Sequence, residues 1–240
     1  MHSQADMLTD ADRLVKVLQK KSPKKLMDLM DISEALAEQN YQRFQEYTFE
    51  HPGSPDEHSR QALWAYTGDV YSGFSLEDYQ EEDYSFAQDH LRILSGLYGL
   101  LRPMDVIQPY RLEMKTALKN TRGDNLYKFW GDRLVKAMNE ALEASGSNVL
   151  INLASNEYTK ALPKKKLKAE IITPTFKDWK NGTYKSLMLF LKQARGRMAD
   201  YMVRERITDP EGLKAFEGMG YTFNPDLSEG NDWVFTRELA

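Results

Sequence analysis

The stretch 169-AEIITPTFKDWKNGTYKSL-187 decides between an all-helical chain and a mixed one. Its first ten residues, 169-AEIITPTFKD-178, are rich in β-branched side chains and read as a strand. Asn181-Gly182 then supplies the two positive-φ positions of a tight hairpin turn, leading into a second strand through Tyr184–Leu187. Upstream, 148-NVLINLAS-155 is a short apolar run bounded by polar and small residues and predicts another strand. Downstream, 220-GYTF-223 and 233-WVFT-236 predict a closing hairpin. Between them, 187-LMLFLKQARGRMADYMVRERI-207 carries Leu187, Phe190, Leu191, Ala194, Met198, Tyr201 and Met202 at helical spacing. Thr208-Asp209-Pro210 caps a helix after it.

The first half carries no such strand pattern. Thr9-Asp10-Ala11-Asp12 resembles a capping box for a helix with Leu14, Val17 and Leu18 on its inner face. Ser22-Pro23 provides an N-cap and a first-turn proline for a second helix, and Ser33 opens a third with Leu36, Tyr41 and Phe44 inward. The turn-rich 51-HPGSPDE-57 breaks the pattern. Helical spacing resumes at Leu63, Tyr66 and Val70 in 63-LWAYTGDVYSG-73, with a further helix over 81-EEDYSFAQDH-90. Helices first and a mixed or antiparallel sheet later predict an α+β fold, with residues 1–240 as a single domain.

Composition removes several function classes. The 240 residues contain no cysteine, which excludes disulfides, thiolate catalysis, zinc fingers and iron–sulfur clusters and fits a cytoplasmic protein. No apolar run approaches the ~18 residues of a membrane span, and the acidic, polar start MHSQADMLTDADRL is unlike a signal peptide. His2, His51, His58 and His90 show no paired spacing, so neither a metal site nor a cofactor is expected. There is no Walker loop, no GxGxxG and no nucleophile elbow.

Charge is segregated beneath a net value of −4. Residues 1–90 carry 8 Lys and Arg against 18 Asp and Glu, whereas residues 160–206 carry 13 against 4, a net +9. A block of that sign recruits phosphates, or else pairs with the acidic first third of the same chain.

Polar residues embedded in apolar strings mark the candidate sites. In 150-LINLASNEYTK-160, Asn152 falls within the predicted strand, and Ser155, Glu157, Tyr158 and Lys160 follow its C-terminal end, where sheet proteins commonly place ligand groups. The same pattern also describes a strand followed by a helix that Ser155 caps. Asp69 and Tyr71 lie between glycines in 67-TGDVYSG-73. In 192-KQARGRM-198, Lys192 and Arg195 share a helix face and Arg197 turns away. Gly196, mid-helix, costs about 1 kcal/mol against alanine and marks the close approach of a backbone or a ligand.

Taken together, TGDVYSG (67–73), LSGLYGLLRPMDVIQPYRLEM (94–114), FWGDRL (129–134), INLASNEYTKAL (151–162) and KQARGRM (192–198) resemble the bacterial peroxide-stress protein YaaA family over roughly residues 8–236. The resemblance implies a cytosolic protein tied to survival of hydrogen peroxide, an unusual α+β fold with a positively charged cleft, and DNA binding through a helix-hairpin-helix-like element. Family members usually open with a short apolar strand ending in Ser-Pro-Ala-Lys-Thr. This chain opens with MHSQADMLTDADRL instead, so a central strand and a cleft lysine are expected to be missing. Gly96 and Gly99 are separated by two residues, one more than a Gly-x-Gly hairpin has.

The expected function is nucleic-acid binding, to DNA, with little sequence preference. Gly96 and Gly99 would admit phosphates to backbone amides, Arg102, Arg111, Lys160, Lys192, Arg195 and Arg197 would neutralise them, and Tyr98 or Tyr110 would stack on an unpaired base. The alternative is an enzyme acting on a nucleobase or nucleotide, with Asp69, Glu113 and Glu157 as acid or base and Asp105, Asn152, Ser155 and Tyr158 lining the same pocket. Arg111 and Glu113 would equally serve as an ion pair that only fixes the fold. Direct iron sequestration ranks last, for want of an ExxH pairing. A monomer without membrane contact is expected.

Overall fold

The protein is described from a computed structural model in which residues 1–51 and 53–238 are placed. Pro52, part of the predicted 51–57 turn, lies outside the described residues. In chain order the helices are α1 (Leu8–Leu18), α2 (Pro23–Met30), α3 (Glu34–Gln45), α4 (Ala62–Ala65), α5 (Glu81–His90), α6 (Leu126–Trp130), α7 (Arg133–Ser145), α8 (Asn156–Thr159) and α9 (Met188–Arg204). The strands are β1 (Ser3–Gln4), β2 (Arg60–Gln61), β3 (Ile93–Ser95), β4 (Gly99–Leu101), β5 (Asp105–Ile107), β6 (Val149–Ile151), β7 (Glu170–Lys180), β8 (Thr183–Lys185), β9 (Thr222–Phe223) and β10 (Asp232–Glu238). The α+β class read from the sequence is what the structure shows. By packing, the chain divides into two compact units. The first is Met1–Ala65, Arg92–Met138 and Ser155–Leu167; the second is Tyr66–Leu91, Asn139–Ala154 and Lys168–Ala240.

In the first unit, α1 buries Ala11, Leu14, Val15 and Leu18. It starts at Leu8 without a side-chain cap, one residue ahead of the predicted Thr9 cap. The predicted partner, Asp12, is occupied elsewhere, accepting from the Tyr47 hydroxyl at 3.2 Å and facing His51 Nε2 at 3.0 Å. The caps of α2 and α3 are as read: Ser22 Oγ accepts from the Lys25 N–H, and Ser33 Oγ from the Leu36 N–H. The inner stripe of α3 is Ala37, Asn40 and Phe44, while Leu36 is exposed. The buried Asn40 amide donates to the Leu36 carbonyl at 2.8 Å, while its Oδ1 has no hydrogen-bond partner among the described residues.

The strands of this unit form two small sheets. β5 lies between β1, which runs parallel to it, and antiparallel β2; β3 and β4 form an antiparallel hairpin. The opening residues supply a two-residue edge strand beside β5, with Ser3 opposite Asp105.

The second unit holds a mixed sheet in the order β6-β7-β10-β9, with β8 on the other part of β7. β6 and β10 run parallel to β7, and β8 and β9 are antiparallel to their neighbours. Alternation along β7 sends Ile172, Pro174, Phe176 and Asp178 to the core. There, Leu191, Ala194 and Met198 of α9 meet Leu213, Phe216, Tyr221, Trp233 and Phe235. Asp178, fully buried, accepts from Arg237 Nε at 2.6 Å and from the Tyr221 hydroxyl at 2.9 Å. The Asn181-Gly182 turn has φ values of 55° and 78°, as the hairpin requires. Asp209 caps Pro210–Ala215 as expected, although the segment is a 3-10 helix.

Only Ala62–Ala65 of the helix predicted over 63–73 is helical. The remainder turns sharply into a 3-10 turn at Tyr71–Gly73. The physical reason is a backbone contact in the second unit, where Gly73 and the Val70 carbonyl press against Gly196 of α9. A continuous helix with side chains on that face would not fit.

Candidate functional site

The glycines of LSGLYG are packing residues of the first unit. A Cβ on Gly96 would collide with the Leu112 carbonyl, and the Gly96 carbonyl accepts from the buried Trp130 Nε1 at 3.0 Å. Gly99 has φ 77°, and a Cβ there would meet Met7 Sδ and the Trp130 ring. The close approach is therefore to the chain's own core, and the two glycines join strands rather than helices. Tyr98 is 1% exposed, so its ring is not available to stack on a base. Burial pushes its hydroxyl up to about 12, even though the hydroxyl accepts the Gln108 N–H at 3.1 Å. Tyr110 is half-buried, its hydroxyl 2.5 Å from Ser95 Oγ.

Arg102 and Asp105 form a structural lattice. Asp105, 1% exposed, accepts from the Arg102 N–H at 2.8 Å, from Arg102 Nε at 3.1 Å and from Ser3 Oγ at 2.7 Å. Arg102 Nη2 donates onward to the Gln4 carbonyl at 2.8 Å. The pair laces β1 to β5, and the guanidinium is occupied by that duty.

The same unit assembles a second group around Glu113. Arg111 Nη2 and Lys115 Nζ lie 2.8 and 3.0 Å from its two carboxylate oxygens. Glu113, the first cause, also raises the Lys115 ammonium above its ordinary value. Glu157 accepts the Lys115 N–H at 3.1 Å, and its own carbonyl accepts from the Tyr127 hydroxyl at 2.8 Å. Burial first, then the charges of Glu157 and Glu113, push the Tyr158 hydroxyl up to about 12. The structure thus brings Arg111, Glu113, Glu157 and Tyr158 together, as an arrangement in which each carboxylate has a cation or N–H donor. Ser155 precedes α8 but makes no capping bond, and Ser155 and Lys160 are exposed.

The second unit holds the remaining candidates. Asn152 falls just past β6 and folds back to accept the Ala154 N–H at 3.2 Å, closing the strand. Lys192 Nζ pairs with Asp69 at 2.9 Å. Arg197 Nη1 donates to Ser75 Oγ at 2.9 Å and to Asp200, 2% exposed, at 3.0 Å. Arg195 differs from both. Among the described residues it makes no ion pair and its buried Nε has no hydrogen-bond partner, and burial lowers its pKa. Of the three cations in KQARGRM, Arg195 keeps an uncompensated charge. No grouping of three or more His, Cys, Asp or Glu suited to a metal ion occurs among the described residues. None of their helices is long and apolar enough to cross a membrane.

The profile of the family described as "Peroxide stress protein YaaA" matches residues 1–227. The chain belongs to the YaaA peroxide-stress family. It is similar to proteins named UPF0246 from Teredinibacter turnerae, 48% identical over 236 residues, and from Alteromonas mediterranea, 52% identical over 235. A UPF0246 protein of Aromatoleum aromaticum is 48% identical over 239 residues. In each, the alignment spans 98% of this chain and 90–91% of the relative.

Two arrangements in this YaaA-family chain escape the sequence reading. Asp10 gathers Arg13 of its own helix at 3.4 Å with Arg122 at 2.6 Å and Arg133 at 3.8 Å from segments far along the chain. Lys115 and Tyr127 complete the Glu113–Glu157 group. The spacing of Arg111, Glu113 and Lys115, each two apart, is the signal available for the second; for the first, only the i,i+3 pair Asp10–Arg13 is local, and nothing local signals Arg122 or Arg133.

Proposed function

We propose that this member of the peroxide-stress family binds nucleic acid, DNA first, with little sequence preference. The observation that carries the reading is the uncompensated charge of the basic block. Lys160, Lys164, Lys165, Lys168, Lys180 and Lys185 are exposed and make no ion pair among the described residues. A self-pairing surface would have spent these charges on carboxylates; free ammonium groups instead hold counterions that phosphates displace. The helix-hairpin-helix-like element is assigned to α2 and α3, joined through Asp31–Ser33 with Asp31 left-handed at φ 51°. Lys20, Lys24 and Lys25 are exposed beside it. Arg102, Gly96, Gly99 and Tyr98 leave the contact set because the fold uses them.

The competing reading, an enzyme acting on a nucleobase, rests on Asp69, Glu113 and Glu157. Each already has a partner: Lys192, the Arg111–Lys115 pair and the Lys115 N–H. Salt titration tests the binding reading. Six neutralised duplex phosphates give a log–log slope of affinity against salt of about −5. Affinity that stays level from low to high salt rejects the electrostatic mechanism.

A further inference from the structure

Asp10, in the first turn of α1, holds three guanidinium groups on one carboxylate. Arg122 Nη2 lies 2.6 Å from Oδ1, Arg13 Nη1 3.4 Å from the same oxygen, and Arg133 Nε 3.8 Å from Oδ2. The acids next to these residues in sequence are committed elsewhere. Asp6 pairs with Arg102, Asp12 faces Tyr47 and His51, Asp124 pairs with Lys128 and Asp132 with Lys166. Three positive charges therefore meet one negative charge. The Glu113 group of the same unit is built differently, with Glu113 and Glu157 set against Arg111 and Lys115.

The three arginines are held to different degrees. Arg122 is the innermost: its guanidinium lies 4.6 Å over the Phe129 ring, and its Nη1 is buried without a hydrogen-bond partner among the described residues. Arg133 Nη1 donates to the Phe129 and Trp130 carbonyls at 3.0 and 3.3 Å, which fixes it at the C-terminal end of α6 and offsets part of its charge. Arg13 has Asp10 alone. Arg13 is 53% exposed and Arg133 44%. In both, Nε and Nη2 make no hydrogen bond among the described residues and are not sealed from solvent.

A cluster with open guanidinium donors and surplus positive charge has a specific chemical complement. Guanidinium forks match the oxygens of a phosphoryl group in pairs. The surplus of two charges matches a phosphomonoester, which carries nearly two negative charges at neutral pH. A backbone phosphodiester or a carboxylate, with one charge each, leaves part of the surplus unanswered. The N-terminal end of α1, which no side chain caps, adds to the positive field beside Asp10. Because Asp10 and the α6 carbonyls already set the guanidinium positions, little ordering remains for a ligand to bring about.

We propose that Arg13 and Arg133, positioned by Asp10 and backed by Arg122, form a site for a phosphomonoester dianion, carried either by a small molecule or by the terminal phosphate of a nucleic-acid strand. The site uses none of the lysines on which the nucleic-acid reading rests, so each stands or falls without the other.

The test uses the full chain at constant ionic strength, with calorimetric titration of thymidine 5′-monophosphate and anisotropy of labelled oligothymidylates ending in a 5′-phosphate or a 5′-hydroxyl. A phosphate-bearing probe is expected to bind saturably, without competition from neutral thymidine. Arg13→Gln is expected to weaken that binding about tenfold, Arg13→Lys to recover part of the loss, and Lys180→Gln, outside the cluster, to leave monophosphate binding unchanged. A phosphomonoester loses its second charge below a pKa of about 6, so wild-type affinity should fall about tenfold between about pH 7.5 and about pH 5. Arg13 is exposed, and matched melting curves confirm that its variants are folded. Tighter binding of the 5′-phosphate strand than of the 5′-hydroxyl strand assigns the dianion to a strand end; saturable monophosphate binding with the two strands alike assigns it to a small molecule. If the monophosphate does not saturate wild type and the two strands bind alike, if Arg13→Gln binds as wild type does, or if affinity is level across that pH range, the site is overturned. The nucleic-acid reading then still answers to its own salt slope.

Discussion

Gly196 of α9 lies directly against the carbonyl oxygen of Val70, so close that a side chain on the glycine would overlap that oxygen. In an unencumbered helix interior, Gly→Ala stabilises by about 1 kcal/mol. Here the neighbour is backbone, which cannot swing aside, and overpacking costs about 1–3 kcal/mol or more. Gly196→Ala is therefore expected to destabilise, reversing the usual sign. Urea denaturation checks it: a raised midpoint means the two segments separate freely.

Asp105 sits at the junction of β1 and β5 with its carboxylate shared between Ser3 and Arg102. Asp105→Ala leaves the Arg102 main-chain N–H and Nε without their acceptor while Nη2 keeps the Gln4 carbonyl, at about 1–3 kcal/mol. Arg102→Gln should lower the melting temperature while nucleic-acid affinity stays within about twofold. A large affinity loss at unchanged stability would return Arg102 to the contact surface.

Glu113 is about one-third exposed, with Arg111 and Lys115 more open still. Screened pairs of this kind contribute up to about 1 kcal/mol. Glu113→Gln should change stability by no more than that, and in an assay of nucleotide hydrolysis or base modification it should match wild type. Loss of a measurable turnover at retained stability supports the catalytic alternative instead.

Alkaline stability follows from buried tyrosines. The hydroxyls of Tyr98 and Tyr158 are pushed up to about 12 by burial, against an ordinary value near 10 in the unfolded chain. Between those values the unfolded chain releases protons that the folded one retains. Their contribution is fully present below pH 10 and is lost as pH rises towards 12. Tyr98→Phe should shrink that alkaline loss, and at neutral pH it should cost about 1–3 kcal/mol because the Gln108 N–H is left without its acceptor. Denaturation at stepped pH with a tyrosinate absorbance titration measures both.

Much of the second unit is legible in the sequence because its signals are local. Alternation along 170–180, the Asn181-Gly182 turn and the Asp209-Pro210 cap each depend on neighbouring residues alone. The caps at Ser22 and Ser33 are legible for the same reason. What fails is whatever a distant partner decides. Asp12 abandons the capping box for Tyr47 and His51, Leu36 gives its inward place to Asn40, and the 63–73 helix stops where Gly196 needs room. The candidate sites divide likewise. Helical spacing finds Lys192, Arg195 and Arg197 and the i,i+3 partner Asp200 of Arg197, but the partner of Lys192, Asp69, is reached only through the fold. LSGLYG reads as ligand-binding because glycines that admit a phosphate and glycines that admit Trp130 and Leu112 look alike in sequence.

The sheet of the second unit also sets an order of events during synthesis. β10 lies between β7 and β9 and pairs with β7 over seven residues, from Asp232 opposite Thr173 to Glu238 opposite Trp179. Until residues 232–238 leave the ribosome, one long edge of β7 has no partner, and Phe176 lacks the Phe235 ring that packs 5.5 Å from it. Pairings across such a sequence separation form late, and an open apolar edge invites other chains. The nascent chain therefore passes through a stage in which that edge of β7 is open to other chains, whatever the stability of the finished protein.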